Sequence, residues 1–191
     1  MRGNKMGKLK LYKIREDYID FLRKYDSKVL YNKNEKRVYI GVIFPINDTK
    51  YFIPLSSPKK KHETMKNTID FLKINNGEDG AINFNNMIPI IDDVVVEFDI
   101  LDEKRIRYKN ILFNQVKFIK RESKNILENA IKLYEKVTKY NSYISKRCVN
   151  FKLLEMVANN YQTYQEVAMT VDEDIEPKGI KENVEVEKTK I

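Results

Sequence analysis

A chain of 191 residues is long enough for one buried core and too short for two full domains. Its 36 Lys and Arg against 28 Asp and Glu give a net charge of +8 and a pI near 9.3, a balance suited to attracting a polyanion. The single cysteine, Cys148, excludes an internal disulfide framework and a cysteine zinc site, and no apolar run nears the ~18 residues needed to span a bilayer. The expectation is therefore a cytoplasmic protein with no membrane partner; the basic stretch at residues 1–8 is followed by no apolar signal core.

Residues 8–14 mix lysine with apolar side chains in a pattern of period two, which predicts a strand with a basic wet face carrying Lys8, Lys10 and Lys13. Tyr18, Leu22 and Tyr25 fall at helical spacing, so residues 16–25 form a short amphipathic helix. Residues 37–46 and 50–55, separated by Asn47-Asp48, predict a β-hairpin rich in β-branched and aromatic residues. Further strands are expected at residues 68–74, 81–84, 87–91 and 93–100. Pro45, Pro54 and Pro89 point to edges or interruptions, and in the last strand Val94, Val96, Phe98 and Ile100 share the buried face.

After residue 104 the period becomes helical. Tyr108, Ile111, Leu112, Val116 and Ile119 form one stripe; Ile126, Leu127, Ala130, Ile131, Tyr134 and Val137 a second; Phe151, Leu154, Val157, Ala158 and Tyr161 a third. Ser123 and Asn150 are the expected N-caps. From Glu166 onward eight acidic residues meet four lysines around Pro177 and Gly179, which predicts a disordered tail at 166–191 and leaves about +12 on a single domain at 1–165. The fold class is α+β: an antiparallel sheet curled toward a small barrel, with docked helices concentrated in the C-terminal half.

The densest collection of reactive groups is Ser56-Ser57-Pro58-Lys59-Lys60-Lys61-His62. Hydroxyls beside cations suit cleavage of RNA through its own 2'-hydroxyl, which needs that hydroxyl activated, the phosphorane stabilised and a proton supplied to the 5'-oxygen. The same composition also describes an ordinary solvated basic turn. A sole histidine excludes an acid/base pair of two histidines, and His62 is equally readable as a structural ring.

A metal nuclease would draw on Asp92, Asp93, Glu97, Asp99, Asp102 and Glu103, which also describe an exposed strand face; no predicted strand carries the Glu-x-Lys of a restriction-type centre. No glycine-rich phosphate loop or Gly-x-Ser-x-Gly elbow is present. Tyr12, Tyr31, Tyr39, Tyr51 and Phe52 lie among Lys33, Lys36, Arg37 and Lys50, a mixture that can hold single-stranded RNA by stacking and charge. A non-catalytic RNA-binding regulator is the alternative reading of the same surface.

Pro54-Leu55-Ser56-Ser57-Pro58-Lys59-Lys60-Lys61-His62 resembles the Pro-Leu-Thr/Ser-Ser-Pro-Lys-x-x-His signature of the ToxN/AbiQ toxins of type III toxin–antitoxin systems. Tyr39-Ile40-Gly41-Val42 resembles that family's Phe-Ile-Gly-Ile strand. The segments beginning at Phe21, Ala81 and Tyr108 are similar in the same order, so the resemblance covers about residues 8–162.

The resemblance implies a MazF/Kid-like fold and a sequence-specific, metal-independent endoribonuclease with no cofactor. It would leave 2',3'-cyclic phosphate and 5'-hydroxyl ends on target mRNA and act in growth arrest and abortive phage infection. It also implies inhibition by a pseudoknotted RNA antitoxin, bound in a heteromeric toxin–RNA assembly, rather than by a protein antitoxin. Ser57 would be the essential serine, Ser56 its neighbouring hydroxyl and Lys59 the catalytic lysine, with His62, Arg37 and Tyr31 as further active-site residues. Lys8, Lys10, Lys13, Lys33, Lys36, Lys60 and Lys61 would bind RNA.

Overall fold

The computed structural model describes residues 10–34, 36–46, 49–140 and 142–166. Lys8 and nearly all of the expected tail lie outside the described residues. The chain divides into a unit Met1–Tyr161 and a second unit Gln162–Ile191; of the second, the described residues 162–166 are helical.

Strand β1 (Lys10–Ile14) runs into helix α1 (Glu16–Tyr25), the helix that the spacing of Tyr18 and Leu22 calls for. The hairpin follows as β2 (Tyr39–Ile46) and β3 (Thr49–Ser56). A four-residue helix α2 (Lys61–Thr64) precedes β4 (Phe71–Lys73), β5 (Ala81–Asn83), β6 (Ile88–Ile90) and β7 (Val95–Glu97). Helices α3 (Ile106–Arg121), α4 (Ser123–Lys139) and α5 (Phe151–Asn159) complete the unit.

All strand pairs are antiparallel, in the order β4-β5-β3-β2-β1-β7, with β6 also pairing β3. The sheet is open rather than closed into a small barrel: both ends of the order, β4 and β7, are three-residue strands, and closure needs strands long enough to tilt and stagger.

Four expected strands are shorter than their patterns suggested. The 93–100 segment reduces to β7 between 3₁₀ turns at Asp92–Val94 and Ile100–Asp102. Only Val94 of its expected face is fully buried; Val96, Phe98 and Ile100 are half-buried. Pro54 lies not at an edge but in β3, the strand with the most partners. It pairs with Tyr39, and on its other side it falls between the β6 contacts of Lys50–Phe52 and the β5 contacts of Leu55 and Ser56. No ladder donor is needed in that gap, so the missing N–H costs little.

One continuous core lies between the sheet and the helices. Tyr18, Phe21, Tyr51, Tyr134, Phe151 and Tyr161 are buried in it, and the Tyr51 and Tyr134 hydroxyls both donate to Glu155 Oε1, at 2.8 and 2.6 Å. Each ring thus buries its apolar body with a satisfied polar tip. Asn150 caps α5, its side chain accepting from the Leu153 N–H. Ser123 does not cap α4. Glu122 alone separates α3 from α4, so Ser123 is already inside the helix. Among the described residues no helix is long and apolar enough to cross a membrane.

Candidate functional site

The end of β3 is held from two sides. Leu55 donates its N–H to the Val38 carbonyl at 2.9 Å, while Leu55 and Ser56 pair with Ile82 and Ala81 of β5. The 74–80 loop presses on the same point. A Cβ on Gly80, whose φ is +99°, would sit 1.9 Å from the Ser56 carbonyl oxygen. Helix α3 braces that loop: Asn114 Nδ2 donates to Asp79 Oδ1 at 3.1 Å and Gln115 Nε2 to the Asp79 carbonyl at 2.7 Å. The serine pair therefore leaves a fixed strand end rather than a free turn.

Ser56 is half-buried and Ser57 exposed. Asn83 Nδ2 donates to Ser56 Oγ at 2.7 Å and also to the Pro54 carbonyl at 3.3 Å. An amide nitrogen can only donate, so Ser56 Oγ is an acceptor in this contact and its own hydrogen is free for another group. Tyr108 of α3 is a half-buried phenol whose pKa is raised by burial, with the nearby Ser57 hydroxyl acting weakly in the opposite direction. Tyr108 thus stays protonated at neutral pH.

Arg37 is set by backbone contacts at both ends. Its N–H donates to the Asn32 carbonyl, Nε to the Tyr31 carbonyl at 2.9 Å and NH1 to the Leu55 carbonyl at 3.4 Å. Buried Asn32 is itself tied to β1 through the Ile14 carbonyl, at 2.6 Å. Lys59 is exposed at the lip. Partial loss of solvent, then repulsion from Lys61, Lys33 and Arg37, lowers its pKa below that of an ordinary lysine.

A groove of about 520 Å³ opens beside this strand end, with Arg37, Ser56, Lys59, Lys61 and Lys66 in its lining. His62 forms part of its wall and is only 2% exposed, its ring tilted on Phe71 with 5.6 Å between centroids and its Nδ1 without a partner. Burial first, then Lys61 and Lys59, lower its pKa, so the ring is neutral at neutral pH. The fold favours the neutral form, so its stabilising contribution is complete above the unfolded value of 6.5 and is lost as pH falls below it. Thermal melts taken from about pH 7.5 to about pH 5 should lose stability more steeply for the parent chain than for His62→Gln; equal slopes would contradict this.

The other sequence-predicted residues are dispersed. Tyr31 is exposed, with the Arg23 guanidinium 3.4 Å from its ring centroid, and among the described residues no contact joins its ring to Ser57 or Lys59. Lys33, at a φ of 61°, reaches Lys59 electrostatically. Lys36 is exposed, and Lys60 borders a shallow depression with Glu63 and Glu78. Lys10 and Lys13 belong to β1, separated from β3 by β2. Lys10 lies in a depression with Glu97, Asp99 and Asp102, and Lys13 lies over the Phe98 ring, 4.9 Å from its centroid.

Of the interleaved aromatic residues, Tyr39, Tyr51 and Phe52 are core and Tyr12 stacks on Phe52. Three of the carboxylates at 92–103 serve local structure: Asp92 pairs with Lys50, Asp99 accepts from the Leu101 N–H and Glu103 holds Arg105. Asn83, which holds Ser56, and Tyr108, which lies near Ser57, are site residues that the sequence alone does not mark; each lies in a segment resembling the ToxN/AbiQ toxins.

Residues 10–159 match the model of the family described as Toxin ToxN, type III toxin-antitoxin system. The chain belongs to that toxin family. Endoribonuclease AbiQ of Lactococcus lactis subsp. lactis is 34% identical over 166 residues, covering 80% of this chain and 89% of that one. Two solved structures align with TM-scores of 0.72, each covering 82% of this chain and 99% of its own. One, 30% identical, belongs to work on selective toxin inhibition by a non-coding RNA pseudoknot in bacterial type III systems. The other, 29% identical, is AbiQ, described as a lactococcal anti-phage endoribonuclease of the type III class. The family match spans the whole of β1 to α5, so the serine-bearing strand end and the groove both lie inside it.

Proposed function

We propose that the chain cleaves RNA at the mouth of the 520 Å³ groove without a metal ion, using Ser57, Lys59, Ser56 and Arg37, and that a pseudoknotted RNA holds it inactive. Its family membership makes it an endoribonuclease toxin of a type III toxin–antitoxin system. The observation that carries the residue assignment is the rigid strand end, where the Ser56 hydroxyl, held by Asn83, and the exposed Ser57 hydroxyl near Tyr108 stand beside Lys59 and a clamped Arg37. Donors held in place before the charge develops are what transition-state stabilisation requires.

In this reading Arg37 and Lys59 hold the scissile phosphate and Ser56, its hydrogen free, donates to a non-bridging oxygen of the phosphorane. Ser57 orients the 2'-hydroxyl. The 2'-oxygen attacks phosphorus, the bond to the 5'-oxygen breaks, and the proton lost from the 2'-hydroxyl is returned to the 5'-oxygen, leaving a 2',3'-cyclic phosphate and a 5'-hydroxyl. Lys59, its pKa lowered by partial loss of solvent and by neighbouring cations, stands close enough to take part in that proton transfer. His62, buried and neutral, shapes the wall beneath Lys59 rather than acting as an imidazolium acid. The target is cellular or phage mRNA, and the setting is the cytoplasm.

Purified protein incubated with total RNA in excess EDTA should give fragments on a denaturing gel whose 5'-hydroxyl ends accept label from polynucleotide kinase without prior phosphatase treatment. Intact RNA with a mobility shift would instead show a binding protein, and cleavage restored only by a divalent ion would overturn the metal-free mechanism.

A further inference from the structure

Part of the groove's lining has a chemistry that phosphate does not explain. Besides the lysines and Arg37 it includes Asp70, Asn85, Asn86 and Arg147, with Leu30 and Met65 as apolar residues. Asn85 Nδ2 donates to the Arg147 carbonyl at 3.2 Å and Asn86 Nδ2 to the Lys28 carbonyl at 3.0 Å. Backbone carbonyls can only accept, so both amide orientations are fixed, and each asparagine keeps Oδ1 as the atom available to a ligand.

Arg147 is held by Asp70, a carboxylate only 4% exposed, through NH2 at 3.0 Å, and Thr68 Oγ1 donates to the same carboxylate at 2.7 Å. That fixes the guanidinium while leaving further N–H groups for a ligand. Amide oxygens left as acceptors in the same groove as an anchored donor are poor partners for phosphate oxygens, which also only accept. With that donor, the amide oxygens complement the edge of a base.

Resting on the nuclease reading above, we propose that this part of the groove lining is a nucleobase subsite, selecting at one position next to the cut a base that carries an exocyclic amino group. One amino nitrogen offers two N–H bonds and can serve both Asn85 and Asn86, while a neighbouring ring nitrogen or carbonyl oxygen accepts from Arg147. Uracil has a single ring N–H and would leave one asparagine oxygen facing a carbonyl. An unpaired acceptor in a partly dried site is penalised. Leu30 and Met65 would cover the base face, and the phosphate would lie toward Arg37 and Lys59.

Single-stranded oligonucleotides differing only at the two positions that flank the cut, with A, C, G, U or purine riboside, test this directly. Purine riboside keeps the adenine ring and removes the amine. At one position, kcat/KM should be at least about ten-fold higher for an amino-bearing base than for uridine or purine riboside, and Asn85→Ala or Asn86→Ala should bring the ratio to about two-fold or less. The modified base probes the unaltered protein, so the result does not depend on how a variant folds.

Rates independent of the base at both positions, or discrimination kept by both variants, would overturn the subsite. Binding of the same oligonucleotides with a 2'-deoxy residue at the cleaved position separates the two readings. Cleavage without base preference in rate or binding removes the subsite and leaves the nuclease. Base-dependent binding without any cleavage removes the nuclease and leaves the subsite.

Discussion

Replacing Ser57 by alanine is expected to lower RNA cleavage by about 10²–10³-fold while leaving the melting temperature and RNA binding close to those of the parent chain. Ser57 is exposed, so removing its hydroxyl creates no cavity; surface changes of this kind usually stay within about 0.5 kcal/mol. The catalytic cost is of another order, because a positioned hydroxyl acts only where the 2'-oxygen and phosphorus meet.

Ser56→Ala should be milder. Asn83 keeps its bond to the Pro54 carbonyl, and Arg37 remains as a second donor to the phosphorane. Cleavage rates on one oligonucleotide, with melts of both variants, check the ranking. Full activity in Ser57→Ala would sink the assignment of that serine, whatever RNA the protein still bound.

Much of the scaffold was legible because the elements that form it are long and periodic. Residues 16–25 repeat apolar side chains at helical spacing and fold as α1 with those limits; the three C-terminal stripes become α3, α4 and α5. The short strands were over-read. In residues 93–100 the alternation of apolar and acidic residues is real, yet 3₁₀ turns on both sides leave only Val95–Glu97 in the sheet. Closure into a barrel was likewise a property of strand length and pairing, which a period-two pattern does not encode.

The candidate site divides along the same line. Ser56, Ser57, Lys59 and His62 are near neighbours in sequence, and their concentration of hydroxyls and cations could be seen at once. Asn83 reaches Ser56 from 27 residues away and Arg147 reaches Asp70 across 77, so the orientation of the serine and the acceptor part of the groove lining exist only after folding. Lys10 and Lys13 show the converse. The regular alternation of their strand ends at Tyr12, and folding places Lys10 in a depression with Glu97, Asp99 and Asp102 and lays Lys13 over Phe98, contacts that spacing alone does not reveal.

The close packing of the 74–80 loop on the strand end requires a residue with no side chain at position 80, and Gly80→Ala should therefore damage stability and chemistry together. Gly80 has a φ of +99°, a conformation that costs a non-glycine residue about 1–3 kcal/mol. Its new Cβ would also meet the Ser56 carbonyl oxygen at 1.9 Å, and that atom is backbone, so relief requires moving β3 itself. At roughly 2–4 °C per kcal/mol for a chain of this size, the melting temperature should fall by about 4–10 °C.

Gly77→Ala is the matched control. Its φ is +101° and its Cβ would meet His62 Cβ at 2.9 Å, so the backbone strain is similar, but the obstruction falls on α2 and not on Ser56. Compared at a temperature where both variants are folded, Gly80→Ala should show the larger loss of kcat. The Ser56↔Ala81 pairing must open to admit the methyl group, and Ser56 Oγ would leave the Asn83 amide. Parent-like kcat in folded Gly80→Ala would mean that the chemistry tolerates a displaced Ser56, and the donor role assigned to that hydroxyl would then fall while Ser57 and Lys59 kept theirs.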